Sequence, residues 1–281
     1  MKTRDKSVIL NLFQNLTIKT ITATALIGVS TTAFASLSDC YRAGANPVDD
    51  DKTIAVCEPY KDDVKVKIIL SGAYSGKGDS AKALEYAKAY VDYYEKNKPQ
   101  TKENILNLAD IYAGIGNIYY FGSAEPKYPK DTTKGIEYIT KGAELGSPIA
   151  QEQLGSIYGS NDGEGITKNF SISYYWYELG RLNGGSSYSR QHPSYVHQNM
   201  DFFTKSGKYC LAVGDQMVAQ AYLDGFGGLP KNKSAAKKYL TEAIDLYKAD
   251  GKPTADEIKY CSPPKGSDIS LESAEKLYKS L

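Results

Sequence analysis

The chain has 281 residues, enough for one extended helical array or two small domains, and its formal charge is only +1. That balance excludes a surface that holds nucleic acid or an anionic membrane by charge alone. Tyrosine is abundant, 24 against 7 Phe and 1 Trp. A ring with a polar tip suits half-buried helix faces and binding surfaces.

The N-terminus reads as a leader. Lys2, Arg4, Lys6 and Lys19 form a basic lead-in, Ile21 to Phe34 carries no charge, and Ala33-Phe34-Ala35 has the small-x-small form of a cleavage site. Residues 1–35 are therefore expected to be a secretory signal peptide, with retention as an uncleaved anchor as the alternative. Cleavage removes four basic residues and Asp5, and the remainder is then close to −2. Export agrees with the four cysteines, Cys40, Cys57, Cys210 and Cys261, all beyond the leader. Four cysteines allow three connectivities, and the two sequence clusters favour Cys40–Cys57 and Cys210–Cys261. Residues 36–64 form a Cys-containing N-terminal segment with little helical pattern.

From about Lys65 a phrase recurs: a small residue, Tyr, one or two residues, then Gly. It reads Leu70-Ser-Gly-Ala-Tyr74-Ser-Gly76, Ile115-Gly-Asn-Ile-Tyr119-Tyr-Phe-Gly122, Leu154-Gly-Ser-Ile-Tyr158-Gly159 and Val218-Ala-Gln-Ala-Tyr222-Leu-Asp-Gly225. Such self-similarity marks a stacked-repeat architecture. Each unit reads as a helix pair: the phrase ends the first helix at Gly, a polar loop follows, and a second amphipathic helix closes the unit. The first unit runs from about Lys65 to Asn97, the second from Lys102 to Gly146, the third from Ser147 to Gly184 and the fourth from Tyr209 to Gly251. Pro148 suits a first-turn position of the third unit. The spacing from Tyr158 to Tyr222 is wider than the others, which places an insertion at about 185–208. Residues 252–281 form a C-terminal capping segment that includes the amphipathic stretch from Ser270 to Leu281.

These residues resemble the Sel-one-like repeat (SLR) family, relatives of the tetratricopeptide repeat. In the third unit Ala150, Leu154, Gly155, Tyr158, Gly163, Gly165, Ile166, Trp176, Tyr177 and Gly180 follow the family pattern; in the second, Gly116, Tyr119, Gly122, Asp131, Lys134, Lys141, Gly142, Ala143 and Gly146 do so. The resemblance implies an all-α fold, a right-handed α-solenoid of about four antiparallel helix pairs over residues 65–251. It also implies a protein that binds another protein through its concave surface. For an exported member, the resemblance points to an immunity protein that neutralises a toxic effector, or to an envelope scaffold or adaptor. Some secreted members carry a disulfide in each repeat and have penicillin-binding or β-lactamase-like activity. Here Cys does not recur per repeat, so an envelope enzyme of that type is the alternative reading.

No catalytic constellation is legible. Gly72-Ala-Tyr-Ser-Gly76-Lys77-Gly78 is one residue short of a phosphate loop and lacks the following Ser/Thr. Asn161-Asp-Gly-Glu-Gly165 has oxygen ligands without calcium-loop spacing. Both histidines, His192 and His197, lie in the insertion with no third ligand at metal spacing. No cofactor or metal is expected, and the chain is read as a non-enzyme. The partner-contacting candidates are Tyr188, Arg190, His192, Tyr195 and His197 of the insertion, residue types common at binding hot spots, together with Tyr175. The Tyr174-Tyr-Trp176-Tyr177 cluster as a whole reads as repeat core.

Overall fold

The computed structural model describes residues 35–46, 49–122, 128–160, 166–185 and 207–281. Regular structure among them is helical, with no strand. The chain divides into two compact units, with the boundary between Asp131 and Thr132.

The first unit begins with α1 (Leu37–Ala45) and α2 (Asp50–Cys57), followed by a short 3₁₀ turn at Glu58–Tyr60. Little helical pattern is legible in this segment, and the two helices correct that reading. Helices this short are marginal alone, but strong end chemistry supports them. Ser36 and Asp39 form a reciprocal capping box, and Asp49 accepts from the Lys52 N–H at 3.1 Å. The Cys40–Cys57 disulfide, both residues fully buried, ties the two helices together.

Next come α3 (Val64–Gly76), α4 (Ser80–Asn97) and α5 (Lys102–Phe121), capped by Asp63, Asp79 and Thr101. The pair α3/α4 is joined across its core by Ser71 Oγ, which donates to the Ala83 carbonyl at 2.9 Å. Leu70, Leu84, Tyr90, Ile111 and Ile115 fill the space between helices. From Leu108 to Tyr119 almost every α5 residue is buried, so this helix has no broad polar face.

The second unit contains α6 (Thr132–Glu144), α7 (Pro148–Gly159), α8 (Phe170–Leu182), α9 (Lys208–Asp224), α10 (Lys233–Asp250), α11 (Ala255–Tyr260) and α12 (Leu271–Ser280). Pro148 opens α7, as its sequence position predicts, with Ser147 as the cap. Helices α7 and α8 are antiparallel. Gly155 of α7 lets the Tyr177 ring of α8 approach so closely that a Cβ there would lie 2.7 Å from ring carbons. Helices α9 and α10 form a second antiparallel pair. Ala212, Val213, Ala219, Ala236, Leu240 and Ala243 make its core, closed by Ala274 of α12.

The two pairs are joined in an unexpected direction. Ser171, at the start of α8, donates to the carbonyl of Cys210 at the start of α9 at 2.8 Å. Tyr174 lies beside Asp215, and Leu179 and Asn183, at the end of α8, meet Gly227 just beyond α9. Helices α8 and α9 are therefore parallel, whereas α6/α7 and α7/α8 are antiparallel neighbours. Between parallel neighbours the chain must return along the length of α8, about 20 Å at 1.5 Å per residue.

Candidate interaction surface

The sequence singled out six partner-contacting residues. Tyr188, Arg190, His192, Tyr195 and His197 lie outside the described residues. Tyr175 is described, and only 7% of it is exposed. It packs against Trp176 with ring centroids 4.9 Å apart, which leaves it little surface to offer a partner. The whole Tyr174–Tyr177 run is buried, as expected for repeat core. The Asn161–Gly165 stretch also lies outside the described residues.

What sequence reasoning missed is where the tyrosine hydroxyls go. In the first unit, Tyr86 donates to both Glu58 carboxylate oxygens, at 3.0 and 3.1 Å, and Tyr74 donates to the same group at 2.5 Å. The two rings stack nearly parallel with centroids 5.8 Å apart, and Lys82 Nζ donates to the Tyr74 hydroxyl at 3.1 Å. Burial and the Glu58 carboxylate both raise the Tyr86 hydroxyl above its ordinary range, so it stays protonated and donating.

In the second unit, Glu178 is only 4% exposed yet fully engaged. Arg181 grips it from the same helix through Nε at 2.7 Å and through a second guanidinium nitrogen at 2.6 Å, and the Tyr239 hydroxyl reaches it from α10. A planar guanidinium matches a carboxylate in this bidentate way, and the pairing compensates the desolvation of both charges. Nearby, Tyr174 donates to Asp215 Oδ1 at 2.7 Å, with Asp215 3% exposed. Burial pushes the Asp215 carboxyl up to about 7; the Tyr174 bond opposes the shift, and Glu242 and Glu178 add to it.

Gln151 is a further node. Fully buried in α7, it donates to the carbonyls of Ala143 at 2.9 Å and Gly227 at 2.8 Å, and accepts from Asn183 at 3.0 Å. It thus pins the α9–α10 loop to the α6–α7 turn and the end of α8.

Surface that a partner can touch lies elsewhere. Phe226 sits at the tip of the α9–α10 loop, 37% exposed, with its ring 6.4 Å from Trp176. A shallow cleft of about 250 Å³ opens between α10 and α12, lined by Thr241, Ile244, Asp245 and Tyr278 and bridged by Lys248 to Glu275 at 2.7 Å. It is smaller than ordinary small-molecule pockets and suits a single side chain. No group of three or more His, Cys, Asp or Glu converges among the described residues, and no described helix is long and apolar enough to cross a membrane.

Comparison with known proteins bears on this geometry. The family model described as Sel1 repeat matches residues 109–147, 148–184 and 210–247. The first match takes in most of α5 and all of α6, the second is α7/α8 and the third is α9 with most of α10. Among solved structures, the chain is similar to a protective antigen present in uropathogenic Escherichia coli strains that displays an SLR fold. The identity is 15% and the TM-score 0.27, over 83% of this chain and 56% of that one. The chain therefore spans little more than half the length of that protein. No curated protein matches the chain.

Proposed function

The chain is a Sel1-repeat protein, and we propose from that premise that it is an exported scaffold whose task is to bind another protein through its repeat helices and the insertion between α8 and α9. Repeats of this class imply protein–protein interaction and are typically non-enzymatic. The observation that carries the reading is the run of three matched repeats, the second of which is the antiparallel pair α7/α8 and the third the pair α9/α10. Solenoid repeats present long surfaces rather than a single pocket, and that is the form suited to a protein ligand.

Two buried disulfides are consistent with an extracytoplasmic protein, and with the leader read at residues 1–35 they support a periplasmic or secreted location. Within that compartment, an immunity role against a toxic effector is the specific reading, and an envelope adaptor is its nearest neighbour. The effector would dock on the repeat face and be held there, its active surface covered.

The test is cross-linking of the tagged, exported chain in its native compartment, followed by calorimetry with the purified partner. A toxin-class partner bound at submicromolar affinity, together with rescue of growth when the two are co-expressed, supports the immunity reading. An envelope component without growth rescue supports the adaptor. Turnover of a chromogenic β-lactam or of a peptidoglycan fragment, lost on carboxylate substitution, would overturn both in favour of an envelope enzyme.

A further inference from the structure

We propose that the junction where the α9/α10 pair meets α8 is tightened by acid and loosened as the medium becomes neutral, with Asp215 as the sensing group. The geometry is a parallel helix contact with a carboxylate at its centre. Asp215 is 3% exposed and accepts a hydrogen bond from the Tyr174 hydroxyl at 2.7 Å. Gly214, beside it, is pressed so closely against the Tyr174 ring that a Cβ would come within 2.3 Å of it, so the tyrosine is held in place.

The surrounding charges do not compensate an ionised Asp215. From α8 come Tyr174 and Glu178, and the guanidinium of Arg181 is already engaged by Glu178. From α10 come Glu242, Tyr239 and Tyr247. Lys238 stands 3.9 Å from the Glu242 carboxylate. From α12 the approach is uncharged: Gln216, next to Asp215, donates to Ser273 Oγ at 2.9 Å. The α12 carboxylate Glu275 is paired with Lys248. From α11, Glu257 keeps company with Asp250 and Tyr209 at the far edge of the contact. Charging Asp215 therefore adds a second buried carboxylate near Glu178, with the half-exposed Glu242 at the edge and one neutral donor to hold it.

The sign follows from linkage. Asp215 holds its proton more tightly when the junction is closed than when it is open and hydrated. The closed junction is therefore favoured at low pH and loses that advantage as pH rises from the ordinary aspartate range towards about 7, with no further change above. Over that window the opening constant climbs by up to tenfold per pH unit.

Hydrogen exchange on the full chain from pH 5 to pH 8 tests this, with rates corrected for the intrinsic pH dependence of exchange. Amides of α8 and α9 should show an opening constant that rises by up to about 100-fold between pH 5 and pH 7 and then flattens, while amides of α3 and α4 stay level. Asp215→Asn should be level throughout. Tyr174→Phe, which removes the bond favouring the charged form, should move the rise to higher pH. The proposal is overturned if Asp215→Asn keeps the wild-type slope or if wild-type α8 and α9 are level. Carbon-13 NMR of the wild-type Asp215 carboxyl decides the matter without any variant, and a midpoint below pH 5 also overturns it.

Discussion

Replacing Gln151 with Met preserves the length and volume of the side chain and removes its hydrogen bonds. Three are lost: two donated, to Ala143 and Gly227, and one accepted, from Asn183. Neither carbonyl is orphaned. Ala143 keeps the Gly146 N–H at 3.1 Å, and Gly227 keeps Asn183 Nδ2 at 2.7 Å. The cost is then the net worth of three buried bonds, about 1 kcal/mol each and about 3 kcal/mol together. For a unit of this size that lowers the thermal midpoint by roughly 6–12 °C. Urea and thermal unfolding followed by circular dichroism measure it. Gln220→Met is the control: its amide bonds only the exposed Asp224, and it should change stability by less than about 0.5 kcal/mol. A Gln151→Met variant within 0.5 kcal/mol of wild type would refute the idea that this residue fastens the α9–α10 loop.

Replacing both Cys210 and Cys261 with Ser opens a 51-residue loop and should cost about 4 kcal/mol, against about 3 kcal/mol for the 17-residue loop of Cys40 and Cys57; unfolding with and without reductant checks both. Gly155→Leu drives its side chain into the Tyr177 ring and should destabilise by about 1–3 kcal/mol, read by urea titration. Ser147→Ala removes the α7 cap, whose hydroxyl accepts from the Ala150 N–H, and should cost about 1 kcal/mol in the same assay.

Most helices were legible because each carries its own punctuation. Pro148 begins α7, Asn232 precedes α10, and the Tyr74 phrase ends α3 at Gly76, all by short-range chemistry. Helices α1 and α2 were not legible, because each is short, α2 has little amphipathic pattern, and the Cys40–Cys57 crosslink that ties them is a contact between separate helices. The direction of α9 was hidden as well. Its pattern is that of any repeat helix, and only the contacts of Ser171 with Cys210 and of Asn183 with Gly227 reveal which way it runs. The carboxylate partners of the tyrosines were invisible for a related reason. Tyr174 and Asp215 are 41 residues apart and Tyr239 and Glu178 are 61, and no local spacing encodes such pairs.

The parallel run of α8 and α9 changes how one repeat can be mapped onto another. Tyr158 and Tyr222 hold the same place in the recurring phrase, yet they finish at opposite rims: Tyr158 accepts from the Asn169 N–H beside the start of α8, and Tyr222 from the Asn232 N–H at the far end. A ligand gripping the Tyr158 rim would next encounter the exposed contact of Asn169 with Ser262, which lies over the buried Cys210–Cys261 crosslink, not a second tyrosine turn. Alanine scans that pool equivalent positions would therefore average two different surfaces, and footprints here have to be drawn from coordinates rather than from the consensus.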